Sequence, residues 1–320
     1  MNVPTTGETK MLAEPAPQPR PSFEQAVCWM NGRLMPAAEA TVSVFDHGLL
    51  YGDGVFEGIR FYHRRAFRLQ AHLARLTLSA RALALSLPWD QAALTRAVAE
   101  TITAAPDDAG YLRLVVTRGV GALGIDPRSC RQPNLFIIAD RLDAMAEARR
   151  RGARLIIAAT RRLGADGLDP RIKSLNYLNP ILARLEANRA GADEAVMLNA
   201  AGRVTEGSAD NLFIVQGGRL LTPPASDGAL AGITRAVVLE LAATLGIAAC
   251  EQPLTPYDLY TADECFLTGT AAELVPVADI DGRPLSHCPG PLFSRLDQAF
   301  RALIERECRN KPPAVTGEAE

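Results

Sequence analysis

The sequence predicts a two-domain α/β protein, on three observations. Its 320 residues are more than a single hydrophobic core usually organises. Its 48% hydrophobic and 22% charged residues are the composition of an ordinary soluble globular chain. Short strand-like runs alternate with longer runs of helical period, and the pattern is interrupted once, at 141–152, by a charged stretch without aromatics. That stretch reads as a linker between a small N-terminal domain, 23–140, and a larger C-terminal domain, 153–309. Residues 1–22 carry Pro4, Pro15, Pro17, Pro19 and Pro21 and no apolar core, so they read as a disordered extension rather than a signal peptide. Residues 310–320 read as a second loose tail.

In order along the chain, Ala26 to Met30 and Arg33 to Met35 flank Asn31-Gly32, a hairpin signature. Val55 to Tyr62 alternates as a strand, after a stretch in which Gly48, Gly52 and Gly54 mark close backbone approaches. That stretch is neither a dinucleotide fingerprint nor a P-loop. Residues 69–87 predict a helix stopped by Pro88, with Leu73, Leu76, Ala80, Leu83 and Leu87 on its inner face and Arg75 on its outer, solvent face. A second helix is expected over 90–104, and strands at Gly110 to Thr117 and Asn134 to Ala139. The second half opens with a strand at Arg154 to Ala159. Asn179 as N-cap and Pro180 as first helical residue begin a helix ending at Gly191. Strands are expected at Ala195 to Asn199, from the turn at Glu206 into Leu212 to Val215, and at Glu264 to Leu267. Gly232-Ile233-Thr234 opens a helix closed by Gly246, and a last helix spans 291–307.

Composition also excludes. A net charge of −2 offers no basic footprint for nucleic acid or anionic lipid, and the longest basic run, Arg149 to Arg151, reads as a solvated linker face. No apolar stretch reaches the length of a membrane span. Six scattered cysteines without C-x-x-C or His-rich spacing suggest neither a metal site nor a disulfide framework, and point to reduced thiols in the cytoplasm.

Of 34 basic side chains only Lys10, Lys173 and Lys311 are lysines, so Lys173 is the one lysine of the folded body. Arginine does not lose its proton in a protein, whereas a lysine can supply the neutral amine that attacks a carbonyl. If Lys173 holds an aromatic aldehyde bearing a phosphate, three further parts are needed. The phosphate requires a helix start with free N–H groups and a hydroxyl, which Gly232-Ile233-Thr234 offers, with Gly269-Thr270-Ala271 as a second source of backbone donors. A ring nitrogen requires a carboxylate, and Glu206 is a candidate; a ring oxygen requires a hydroxyl, and Tyr177 lies four residues from Lys173. Each has a plain alternative: a common helix start, a solvated hairpin carboxylate, a core tyrosine.

Six ordered motifs bring these parts together: Val44 to Arg60, Tyr111-Leu112-Arg113, Lys173 to Tyr177, Thr205-Glu206-Gly207 with Asp210 to Phe213, Gly232 to Arg235, and Thr268 to Glu273. Over residues 26–305 the sequence resembles the class IV, fold-type IV pyridoxal-phosphate aminotransferases, and among them the branched-chain amino acid aminotransferases. The resemblance implies a small α/β sandwich followed by a larger α/β pseudobarrel. It implies pyridoxal 5'-phosphate as cofactor, no metal, and small amino acid and 2-oxo acid substrates. Lys173 becomes the Schiff-base lysine, Glu206 the partner of the ring nitrogen and Tyr177 that of the ring oxygen. Arg75, Ile233, Thr234 and Thr270 become phosphate ligands, which reverses the solvent-face reading of Arg75. Tyr111, Arg113, and the N–H groups of Thr270 and Ala271 would take the substrate carboxylate, and Phe56, Gly58 and Tyr51 would form an apolar side-chain pocket. The loop at Leu123-Gly124-Ile125 would place Ile125 at a neighbouring subunit's site, implying a homodimer or higher oligomer. One departure stands out: Asp140 to Gly152 supplies none of the aromatic residues that relatives place over the pocket. A D-amino acid aminotransferase and a 4-amino-4-deoxychorismate lyase are the alternatives on the same machinery.

Overall fold

The computed structural model describes residues 25–142 and 145–309; the expected extension at 1–22 and tail at 310–320 lie outside them. The first part is built on a hairpin, β1 (Val27–Met30) and β2 (Arg33–Pro36), turned by Asn31 and Gly32, both at positive φ as the Asn-Gly signature requires. A short helix α1 (His47–Tyr51) follows, capped by the Asp46 carboxylate accepting from the Gly48 N–H. The long strand β3 (Gly54–Tyr62) and its short partner β4 (Arg65–Ala66) lead into α2 (Leu69–Ala82) and α3 (Gln91–Ala104), then β5 (Gly110–Thr117) and β6 (Asn134–Asp140). These six strands pair antiparallel in the order β2-β1-β6-β5-β3-β4. Leu73, Leu76, Ala80, Leu94, Val98 and Ile102 from the two helices are buried with Ile59, Phe61, Leu112 and Leu114 of the sheet.

After α4 (Ala146–Arg151), a nine-stranded mixed sheet takes over. Its strands are β7 (Ala153–Ile157), β8 (Glu194–Leu198), β9 (Val204–Gly207), β10 (Asn211–Gln216), β11 (Arg219–Thr222), β12 (Ala249–Glu251), β13 (Glu264–Gly269), β14 (Glu273–Ile280) and β15 (Arg283–Pro284). The order is β12-β11-β10-β13-β14-β7-β8-β9, with β15 on β14. Because β9 passes straight into β10 through a tight turn, the end of this path returns against its interior and the sheet curls. Its helices are α5 (Leu178–Arg189), α6 (Ile233–Thr244), α7 (Pro256–Tyr260) and α8 (Pro291–Cys308). Of these, α5 packs on β8, while α6 and α8 pack on each other and on β13.

Several boundaries differ from expectation, each for a local reason. Helix α2 ends at Ala82 rather than 87, because Ala84 turns to positive φ and Arg118 donates to the Leu83 and Ala84 carbonyls, ending the ladder. The first strand of the second half is Ala153–Ile157, two residues short of the expected end. Asn179 is not the N-cap of α5: Tyr177 is, and the Asn179 side chain instead accepts from the Leu163 N–H and donates to the Arg161 carbonyl. Glu206 lies within β9 and not in a turn. The 141–152 stretch is partly helical, and its arginines are not simply solvated: Arg149 donates to the Ala272 carbonyl and Arg151 pairs with Asp193. All six cysteines are free.

Gly119 sits at φ +92°, and a Cβ there would overlap the Gln132 carbonyl. Gly119→Ala should therefore destabilise the fold by about 3 kcal/mol through combined backbone strain and overpacking, read as a fall of several degrees in Tm. An unchanged melting curve would contradict that account.

Candidate active site

A cavity of about 440 Å³ opens between the six-stranded sheet and the second part of the chain. Its floor is set by how Lys173 is carried. The segment before α5 pairs as a short extra strand with β3: Phe56 N–H donates to the Lys173 carbonyl (3.0 Å), and Leu175 N–H to the Gly54 carbonyl (3.0 Å). The Lys173 N–H donates to Ser79 Oγ on α2 (3.1 Å). Backbone bonds to two elements of the first part thus hold a lysine that belongs to the second. Its Nζ lies 3.3 Å from the Tyr177 hydroxyl and 4.6 Å from the centre of the Phe56 ring, which meets Tyr177 edge-on.

Glu206 lies on another wall, 5% exposed. Its Oε1 accepts from Arg162 Nη2 (2.5 Å), and its Oε2 from Asn211 Nδ2 (3.1 Å) and the Leu230 N–H (2.9 Å). Burial pushes this carboxyl above the ordinary carboxylate range, while Arg162, the Leu230 N–H and Lys173 pull it back. A cation placed beside it would complete that pull.

The far end of the cavity is the start of α6. Gly232 is its N-cap and makes no side-chain cap, so Ile233, Thr234 and the N–H groups of the first turn face the cavity uncapped. Arg75 joins them. Far from facing solvent, its side chain is 11% exposed, bonded in parallel to Glu57 (2.7 and 2.8 Å) and donating to the Ala231 carbonyl. An uncapped helix start beside a guanidinium is the donor set for a phosphate dianion, and with Lys173 and Glu206 the cavity fits a phosphorylated pyridine aldehyde.

The remaining wall comes from β3, β5 and the β13–β14 turn: Phe56, Gly58, Tyr111, Arg113, Val115, Thr270 and Ala271. Arg113 Cζ lies 4.4 Å over the Phe56 ring, and among the described residues no carboxylate pairs with it. Gly58 is required because a Cβ there would overlap the Tyr111 hydroxyl. Burial raises the Tyr111 phenol above its ordinary range, so it stays a donor. The turn is held from behind, with Arg60 donating to the Ala271 carbonyl (2.6 Å) and Tyr62 to Glu273 (2.6 Å).

The structure thus brings together Lys173, Tyr177, Glu206, Arg75, Ile233, Thr234, Thr270, Ala271, Phe56, Gly58, Tyr111 and Arg113. It does not bring in Tyr51 or Ile125, neither of which lines the cavity. Tyr51 lies on α1, where its hydroxyl accepts from the Gly124 N–H (2.8 Å), and Ile125 is 84% exposed on the loop tied to that helix. Sequence reasoning gave no role to Arg162, Asn211, Glu57 and His72: Asn211 lines the cavity five residues beyond Glu206, and the other three meet their partners between separate elements.

The family described as amino-transferase class IV matches residues 54–280. A protein of Methanocaldococcus jannaschii is 49% identical over 276 residues, spanning 86% of this chain and 95% of that one. The branched-chain-amino-acid aminotransferase of Escherichia coli K12 is 35% identical over 292 residues, spanning 88% of this chain and 94% of its own. A crystal structure of the Escherichia coli enzyme matches at a TM-score of 0.85, with 34% identity over 90% of this chain and 97% of that one. The branched-chain amino acid aminotransferase from Thermobaculum terrenum, in its PLP (holo) form, matches at a TM-score of 0.79, with 32% identity over 87% of this chain and 93% of that one. With sequence, fold and a lysine-bearing cavity in agreement, the chain belongs to the class IV aminotransferases.

Proposed function

We propose that the protein transfers the amino group of branched-chain L-amino acids to 2-oxoglutarate, giving branched-chain 2-oxo acids and L-glutamate. One observation carries the reading: Lys173, Glu206 and the uncapped start of α6 with Arg75 all face one cavity whose remaining wall is largely apolar. Its cofactor is pyridoxal 5'-phosphate, which supplies a carbonyl for amine exchange and an electron sink for the bond broken at the substrate Cα.

The chain's own residues do the rest. Arg75, Ile233, Thr234 and Thr270 hold the phosphate, Tyr177 donates to the ring oxygen, and Glu206 keeps the ring nitrogen protonated. The Lys173 amine would take the proton from the substrate Cα and hand it to the carbon of the cofactor's carbonyl group, not back to Cα. Tyr111, with the N–H groups of Thr270 and Ala271, orients the carboxylate that every substrate shares. Phe56 and Gly58 bound the space for an aliphatic side chain, which such a wall selects loosely, at about 1 to 3 kcal/mol per methylene.

Arg113 serves carboxylates as well. Among the cations lining the cavity, Arg75 is committed to Glu57 and Lys173 is the reacting amine, so Arg113 is left for the second carboxylate of 2-oxoglutarate. Arg113→Met should lower kcat/KM by about tenfold for leucine and about a hundredfold for 2-oxoglutarate. Wild-type values for both would remove Arg113 from the site.

The assembly is a homodimer or higher homo-oligomer. Val44, Phe45, Leu49, Leu50, Leu123 and Ile125 are exposed around α1 and its attached loop, an apolar surface suited to burial against a second copy. There Tyr51 and Ile125 serve the neighbouring subunit's pocket rather than their own. A monomer in analytical ultracentrifugation would overturn this. The two sheets form the two domains, 23–140 and 153–309, joined through 141–152. The protein acts in the cytoplasm, in keeping with six unpaired thiols, and among the described residues no helix is long and apolar enough to cross a membrane.

The deciding experiment follows the near-visible absorption of the cofactor-loaded protein through additions of L-leucine, D-alanine and 2-oxoglutarate. The band should fall with L-leucine and return with 2-oxoglutarate. A response to D-alanine instead would make the enzyme D-specific. Pyruvate released from aminodeoxychorismate would make it a lyase.

A further inference from the structure

Glu57 is an unexpected neighbour for a phosphate seat. It lies on β3 between Phe56 and Gly58, both of which line the cavity, and strand alternation turns its side chain to the opposite face, toward α2. There it is fully buried, at 0% exposure. Its two oxygens accept three hydrogen bonds: Oε1 from Arg75 Nε, and Oε2 from both Arg75 Nη2 and His72 Nδ1 (2.8 Å each). His72 and Arg75 stand three residues apart on α2, on one face. The two charge-assisted bonds to Arg75 are joined by pulls from His72, and together they hold the Glu57 carboxyl down at about 2 against its burial. Burial holds the His72 imidazole below its ordinary range, so it is neutral and has a single N–H, given to Glu57.

A guanidinium has five N–H groups. Arg75 commits Nε–H and one Nη2–H to Glu57, and one Nη1–H to the Ala231 carbonyl just ahead of α6. Two remain, one on each Nη, on a side chain that lines the cavity beside Gly232, Ile233 and Thr234.

We propose that Glu57 and His72 are positioning residues: they lock the Arg75 guanidinium in the one orientation that turns its two uncommitted N–H groups to the cofactor phosphate. A role through charge alone has the opposite sign. A buried carboxylate close behind Arg75 weakens the local positive potential, so removing it would tighten anion binding if orientation did not matter. An ion pair kept for stability alone is also a weak explanation, because apolar packing of equal volume serves as well.

The inference rests on the phosphate reading of the α6 start, and the test separates the two. Calorimetry on the full chain freed of cofactor compares pyridoxal 5'-phosphate, pyridoxal and inorganic phosphate. Wild type should bind the phosphorylated aldehyde far more tightly than pyridoxal; equal affinities would remove the phosphate seat itself. Glu57→Gln should weaken pyridoxal 5'-phosphate and inorganic phosphate by about 30-fold, and His72→Phe by about fivefold, with pyridoxal unchanged. His72→Asn, which restores a donor at the Nδ1 position, should recover most of the loss. Phosphate binding as tight as wild type or tighter in Glu57→Gln overturns the proposal, as does an equal loss for pyridoxal with and without its phosphate. Should Glu57→Gln fail to fold, the His72→Phe and His72→Asn pair decides by the same ratio.

Discussion

Lys173→Ala is expected to lower kcat by about four to five orders of magnitude while leaving the protein folded. The Lys173 backbone bonds to Phe56 and Ser79 do not depend on its side chain, so the short strand that joins the two parts of the chain persists. Circular dichroism melting should shift by no more than a few degrees, and the absorption band of the covalently held cofactor should be lost. Lys173→Arg is the sharper variant. It keeps the cation over Phe56 but cannot offer a neutral amine, so its turnover should match that of Lys173→Ala. Substantial activity in Lys173→Arg would mean that the charge and not the amine does the work, and the assignment would fall.

Glu206→Gln should reduce kcat by about a thousandfold with the cofactor still bound. The amide fills the same volume and still accepts from Asn211 or Leu230, but it no longer holds a proton on the ring nitrogen. The stability cost is separable. Arg162, bonded to Glu206 in a buried setting, loses its counter-charge, at about 3 kcal/mol. Arg162→Met combined with Glu206→Gln should recover much of that stability without restoring turnover. Single-turnover rates taken below the melting transition keep the effects apart. A rate within tenfold of wild type would show that the ring nitrogen needs no carboxylate here.

Motifs that lie close in sequence were legible before any fold was known. Lys173 and Tyr177 stand four residues apart, Gly232-Ile233-Thr234 is a helix start, and Tyr111 and Arg113 alternate on one strand. Groups whose meaning depends on a distant partner were misread or missed. By helical period alone Arg75 belongs to the solvent face of α2, since nothing in that period reveals Glu57 or the Ala231 carbonyl waiting there. Glu57 itself passes for an alternating polar residue of a half-buried strand. Arg162 lies 44 residues from Glu206 and announces itself by no motif. The Asn179 cap failed for the same reason, because a tertiary donor, the Leu163 N–H, took the side-chain oxygen that a cap would use.

The sequence by itself determined the fold class, singled out Lys173, and offered short segments whose donors suit a phosphate and a carboxylate, because hydrophobic period, turn chemistry and residue type are local properties of a chain. Only the tertiary structure decided which of these share one cavity and how their charges are balanced. It carried Lys173 onto β3, buried Arg75 against Glu57, which His72 also meets, set Arg162 on Glu206, and left Tyr51 and Ile125 outside the cavity. Burial of a charge is tolerated only where an opposite charge meets it, and that pairing is a property of positions in space rather than of neighbours along the chain.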